Sequence, residues 1–130
     1  MILLDTNVII DYWQNYTEEA GLALLRWDPC ICGVVLAELL HGALNEREVA
    51  WMQTALSKFR WLETHADVWR CLGLNLTALR QAGLKMPFQD VLLATVAIVH
   101  DAYIWSNDKH FVLMQQVLPS LQLFNPEIEG

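Results

Sequence analysis

Four acidic residues stand where a carboxylate can do chemistry. Asp5 follows the apolar run Ile2-Leu3-Leu4, and Asp108 follows Tyr103-Ile104-Trp105 after only Ser106 and Asn107. In parallel α/β sheets ligand sites lie beyond the carboxyl ends of strands, so acids placed there can act. Glu38 lies within Val34-Val35-Leu36-Ala37-Glu38-Leu39-Leu40, and Asp90 opens the apolar stretch Val91 to Val99. Each has a plain structural use as well. Asp5 can be a turn residue, and Asp108 can belong to a helix cap with Ser106 and Asn107. Asp90 can favour a helix dipole, while Glu38, His41 and Asn45 can form a wet stripe. Together they carry more weight, because like charges forced into one place cost stability unless a cation compensates them. Ligands that are all oxygen imply Mg²⁺, with Mn²⁺ as a substitute, rather than Zn²⁺. Two such cations about 3.5–4 Å apart can polarise water and stabilise a phosphodiester during in-line displacement.

Around these acids, Thr6 can lend a hydroxyl to a metal's water shell, and Ser106 and Asn107 can support Asp108. Arg47, Lys85, Lys109 and His110 are candidate phosphate contacts. His41, His65, His100 and His110 show no mutual ligand spacing. Cys30, Cys32 and Cys71 make neither a disulfide framework nor a zinc set, and read as buried or half-buried thiols. The tryptophans fall mostly at core-like spacing, Trp13 least clearly.

The elements that must position these groups follow from punctuation and period. Short apolar strands are expected at 2–4, Cys30-Ile31-Cys32, Phe59 to Leu62, Tyr103-Ile104-Trp105 and Leu121 to Phe124. Helices are expected over Val8 to Trp13, from Thr17 to the stop at Asp28-Pro29, over Val34 to Leu44 and Glu46 to Lys58. In the last of these Val49, Met52, Leu56 and Phe59 face inward. A long helix spans His65 to Gln81, with Trp69, Leu72, Leu76 and Leu79 inward and Gly83 ending it. Asp90 to His100 is apolar nearly all round and therefore central. A short helix follows Lys109, and Pro126 to Gly130 reads as an acidic tail. The expected fold is an α/β three-layer sandwich with a central, mainly parallel five-stranded sheet. Two successive helices before Cys30, and the lack of a G-x-G-x-x-G or Walker sequence, count against a dinucleotide-binding fold.

With 130 residues, the chain has the size of one domain, expected over 1–130. It is 55% hydrophobic and 18% charged, which supplies a core and argues against disorder. No apolar stretch reaches the ~20 residues that span a bilayer and no leader is visible, so a cytoplasmic protein without membrane contact is expected. The net charge of −7 is wrong for a protein that grips nucleic acid non-specifically. If the four acids hold cations, the other eleven acids face eight Lys and Arg, leaving −3 outside the site. That leaves room for a phosphate substrate bridged by metal.

The blocks Leu3-Leu4-Asp5-Thr6-Asn7-Val8-Ile9-Ile10-Asp11, Val35-Leu36-Ala37-Glu38-Leu39 with Gly42, Asp90-Val91-Leu92-Leu93-Ala94-Thr95-Val96-Ala97 and Ser106-Asn107-Asp108-Lys109-His110-Phe111 resemble the PIN-domain family. Within it the small VapC-like toxin ribonucleases of bacterial toxin–antitoxin pairs are most similar. The blocks span most of the chain in the family's order. The resemblance implies strand order 3-2-1-4-5 and metal-binding positions at Asp5, Glu38, Asp90 and Asp108. Thr6 takes the usual Ser/Thr position, and Ser106 stands where threonine is common. The implied function is RNA cleavage by the toxin of a pair, with homodimers, inhibition by a small cognate antitoxin, and DNA contact only through that antitoxin. Two other readings are an RNA-processing nuclease outside a toxin pair and a non-catalytic interaction module that kept the fold.

Overall fold

Ile2, Leu3 and Leu4 form β1 (Ile2–Leu4), with all three side chains buried. A strand covered on both faces has no reason to alternate, which is why this run reads as continuously apolar. In the computed structural model, which describes residues 1–126, β1 is the centre of a five-stranded sheet. The other strands are β2 (Pro29–Cys32), β3 (Arg60–Leu62), β4 (Tyr103–Trp105) and β5 (Gln122–Leu123). Their order is β3-β2-β1-β4-β5, and every pairing is parallel. The chain runs outward from β1 to β2 and β3, then returns to β1's other side at β4. The strand order therefore reverses between β1 and β4, the place where parallel sheets open a crevice.

Among the described residues seven helices surround the sheet: α1 (Thr6–Gln14), α2 (Glu18–Arg26), α3 (Gly33–His41), α4 (Glu46–Leu56), α5 (Ala66–Gln81), α6 (Phe88–Val99) and α7 (His110–Gln115). α6 is the central one. Its residues Val91 to Ala97 are all buried, as a helix apolar all round requires. The only hydroxyl in that run, Thr95, donates to the Val91 carbonyl at 2.7 Å and accepts from Asn75 of α5 at 3.0 Å. Gly83, at φ 78°, ends α5. The Leu84 amide donates to Leu79 O at 2.9 Å and the Gly83 amide to Arg80 O at 3.0 Å, the Schellman pattern that a left-handed glycine permits. This tight stop lets the chain turn into α6.

Several boundaries differ from the sequence reading. α1 begins at Thr6 rather than Val8, because Asp5 itself is the N-cap and accepts from the Thr6 amide at 2.7 Å. α3 and α4 end earlier than expected, and α6 starts at Phe88, so Asp90 lies in its first turn. β5 is two residues long, since Phe124 only returns one amide bond to Ile104 O at 2.8 Å. The tryptophans expected in the core divide: Trp13, Trp27 and Trp105 are half-buried against it, whereas Trp51, Trp61 and Trp69 are 44–53% exposed. On α5 the inward face is set by Val68, Leu72 and Leu79, one residue out of phase with Trp69. All three cysteines are free, with Cys30 and Cys32 buried. The acidic tail read over 126–130 lies, from 127 on, outside the described residues.

Candidate functional site

Register builds the centre of the site. Leu4 of β1 pairs with Trp105 of β4, so the residues that follow them, Asp5 and Ser106, emerge side by side at the carboxyl end of the sheet. The Asp5 amide donates to Trp105 O at 2.9 Å, and Ser106 Oγ donates to Asp5 Oδ2 at 2.6 Å. Asn7, in the first turn of α1, closes the arrangement. Its Nδ2 lies 3.3 Å from both Asp5 Oδ2 and Ser106 Oγ, and its Oδ1 accepts from the Asn107 amide at 3.1 Å. Ser106 Oγ also accepts from the Asp108 amide at 2.9 Å. One hydroxyl thus ties Asp5 to the turn that carries Asp108.

Two helices and the turn before α7 bring the remaining acids. α3 leaves the end of β2, packs on α1 and α6, and carries Glu38 at its exposed side. Thr6 Oγ1 reaches Glu38 Oε1 at 3.4 Å. Asp90 enters in the first turn of α6, where the helix dipole favours a negative group. His110 opens α7 and faces two acids at once. Its Nδ1 is 2.7 Å from Asp90 Oδ2 and 3.3 Å from Asp108 Oδ1, and its amide donates to that same Asp108 oxygen at 2.9 Å. One potential ligand atom each from Asp90, Asp108 and His110 lie within 4.8 Å of one another.

The electrostatics are those of carboxylates crowded without fixed cations. Burial raises the Asp5 pKa; bonds from Ser106 and Thr6 oppose this, and the charges of Asp90 and Asp108 add to it. Glu38 is raised by partial burial and by Asp5 and Asp90, against its bond from Thr6. The Asp90 carboxylate beside His110 raises the imidazole. Burial pushes the nearby Cys32 up to about 11, which keeps it a neutral thiol. Among the described residues no Lys or Arg forms an ion pair with any of the four acids. Several oxygen donors, mutually repelling and open to solvent, suit a hard divalent cation.

All four acids proposed from sequence therefore meet at one end of the sheet, with Thr6, Ser106 and Asn107 around them. Arg47, Lys85 and Lys109 are exposed, and none of them forms an ion pair with the four carboxylates. His110, read as a phosphate contact, is instead bound to Asp90 and Asp108. Asn7 was missed as a site residue. Its only signal was its place two residues after Asp5, which is equally the signature of a helix start.

Comparison with known proteins follows the same geometry. The PIN domain profile matches residues 2–115. Ribonuclease VapC17 from Mycobacterium tuberculosis (strain CDC 1551 / Oshkosh) is 25% identical over 92% of this chain and 91% of its own length. Among solved structures, VapBC2 from Rickettsia felis, bound to a DNA fragment from their promoter, superposes with a TM-score of 0.81. It is 25% identical over 96% of this chain and 98% of that one. DNA-bound VapBC from Salmonella typhimurium gives 0.80 at 21% identity, over 95% and 96%. A match running from β1 through α7, on a sheet whose strand order and acid placement are those the motifs imply, leaves one assignment: the chain belongs to the PIN-domain family.

Proposed function

We propose that this chain is a divalent-cation-dependent endoribonuclease and the toxin of a toxin–antitoxin pair, built as a single nuclease domain over 1–130. The observation that carries the reading is the meeting of Asp5, Glu38, Asp90 and Asp108 where β1 and β4 end; among the described residues no basic side chain other than His110 pairs with them. The VapC17 relative is named a ribonuclease, and the solved relatives are VapBC toxin–antitoxin complexes.

The four carboxylates hold Mg²⁺, with Mn²⁺ as a substitute. A bound cation supplies a more acidic water and positive charge beside the phosphodiester. The chain's own residues do the positioning. Ser106 and Asn7 hold Oδ2 of Asp5, the Thr6 amide holds Oδ1, and the His110 amide orients the Asp108 carboxylate. Because those partners are rigidly placed, the donor oxygens do not have to be ordered when the cation arrives. Lys85 and Lys109, close in sequence to Asp90 and Asp108, and Arg47 at the start of α4, are exposed cations available to RNA phosphates. The net charge of −7 leaves DNA contact to the antitoxin. No helix among the described residues is long and apolar enough to cross a membrane. A cytoplasmic site of action fits an RNA substrate and free thiols.

The test is cleavage of RNA by purified chain across a Mg²⁺ titration, with Asp5→Asn and Asp90→Asn beside the parent. Both variants should lose at least about 100-fold in rate while keeping the parent's circular dichroism, since removing even an orienting partner of a metal ligand costs 10–100-fold. Equal metal-dependent rates in all three proteins would reject the nuclease reading and favour an interaction module.

A further inference from the structure

We propose that His110 is a ligand as well as a neighbour: its Nδ1, with one oxygen each from Asp90 and Asp108, forms an N,O,O cation site that selects Mn²⁺ over Mg²⁺. The inference rests on the cation reading of the acidic cluster and deepens it. Sequence alone suggested oxygen donors only, because the four histidines show no common spacing; the fold brings His110 of α7 against Asp90 of α6.

The geometry is what singles out this histidine. An octahedral cation with bonds of about 2.0–2.1 Å holds adjacent donors about 3 Å apart. His110 Nδ1 stands 2.7 Å from Asp90 Oδ2 and 3.3 Å from Asp108 Oδ1, values that bracket that separation. All three donor atoms lie within 4.8 Å of one another, as ligands of one ion must. In the described arrangement the ring nitrogen and Asp90 share a hydrogen bond; a cation takes the place of the shared proton, and Nε2 then carries the ring hydrogen. The ring is held for this. His110 begins a helix, and its own amide fixes the Asp108 oxygen at 2.9 Å. Asp90 is anchored on the buried central helix, and Asp108, in the turn before α7, is held by its amide's bond to Ser106 Oγ at 2.9 Å and by the His110 amide on its carboxylate.

The consequence is selectivity. Mg²⁺ takes oxygen ligands and gives up its water reluctantly, whereas first-row transition ions gain more from an imidazole nitrogen. Arrangements of acids alone discriminate little between the two; a nitrogen in the set tips the choice.

The experiment uses the full chain, stripped of metal, at mildly alkaline pH, with Mn²⁺ and Mg²⁺ titrated separately by calorimetry. Pulsed electron paramagnetic resonance of the Mn²⁺ form reads whether a nitrogen is bonded to the ion. The parent should show imidazole-nitrogen hyperfine coupling. His110→Gln, which keeps a polar group of similar reach, should lose it. The variant should bind Mn²⁺ about tenfold more weakly while its Mg²⁺ affinity changes less than about threefold. Mn²⁺ bound by the parent without nitrogen coupling overturns the proposal, and so does an equal loss for both ions in His110→Gln. Asp90→Asn separates this failure from that of the underlying reading: if it leaves both affinities intact, the acidic cluster is not a cation site at all.

Discussion

The Asp5 carboxylate accepts from the Thr6 amide at 2.7 Å, from Ser106 at 2.6 Å and from Asn7 at 3.3 Å, yet its pKa is raised above 3.8. Burial and the neighbouring charges outweigh three donors. A carboxyl whose folded pKa exceeds its unfolded value contributes stability that is fully present below the unfolded value. That stability is lost as pH rises through the folded one. Glu38, raised above 4.5, acts in the same direction. In the presence of chelator, we therefore expect urea melts to show stability falling as pH climbs from about 4. Asp5→Asn should flatten that fall, and added Mg²⁺ or Mn²⁺ should offset it in the parent more than in the variant. Absolute stability is a poorer readout. An amide placed here offers Ser106 and Asn7 a donor where they meet an acceptor, and a mismatched buried bond costs about 1–3 kcal/mol. Identical pH slopes in parent and variant would remove Asp5 from the repelling cluster. For Ser106→Ala, which loses the bond to Asp5 and the acceptor for the Asp108 amide, we expect a 10–100-fold slower RNA cleavage. Ser106→Thr should stay near the parent in the same assay, since the hydroxyl is retained.

At the scale of elements, α6 holds Asp90 in place because Val91 to Ala97 are buried, and α5 is its main partner. Thr95 and Asn75 are the polar link between these two helices. Thr95→Val removes the acceptor of the Asn75 amide and leaves that group half-buried without it. A loss of about 1–3 kcal/mol in the urea midpoint analysis is expected. Asn75→Leu combined with Thr95→Val should recover part of it, because removing both partners of a buried bond costs less than orphaning one. A single variant as stable as the parent would mean that the link contributes nothing. At the other end of the site, α1 runs from Thr6 beside Glu38 to Tyr12 and Trp13. Those rings line a groove of about 720 Å³ with Tyr16 of the loop after α1, Leu22 of α2 and Trp51 of α4.

For the whole molecule, α1 rises about 10 Å between Thr6 at the acidic cluster and Tyr12 and Trp13 in the groove. An extended peptide covers this in three or four residues. We expect the antitoxin to lay apolar anchors into the groove and a basic side chain among the acids, so that it excludes RNA and cations together. Trp51, 53% exposed and stacked edge-on to Trp13 at 4.8 Å, is the anchor point. Trp51→Glu should weaken the antitoxin complex by about 30-fold or more, the scale of a lost hot spot. Cleavage by the free chain should be unaffected. Undiminished antitoxin affinity would place the docking surface elsewhere. Apolar surface remains on other helices, including Leu74 at 67% exposure, and we expect the chain to bury part of it as a homodimer with the acidic site left open. Light scattering that shows a monomer throughout the micromolar range would refute this.

The order of strands and helices, the four acids and the buried central helix are all legible in the sequence because each depends on local pattern. Apolar runs, cap residues, Gly83 and Pro87 act within a few positions of themselves. Which side chains meet is a different matter. Asp5 and Ser106 are 101 residues apart and touch only because β1 and β4 pair in one register. Asn7 looked like a helix start and turned out to hold two strand ends together; its contact with Asn107 spans 100 residues. His110 had no partner by spacing, since its partners lie on α6 and in the turn before α7. Trp69 went the other way. Its helical spacing matched a core face, but a one-residue difference in phase, with Val68 facing inward where α5 packs on α6, put Trp69 in solvent. Local pattern specifies what each element is; long-range register and helix phase, set by the packing of the whole, decide what its side chains touch.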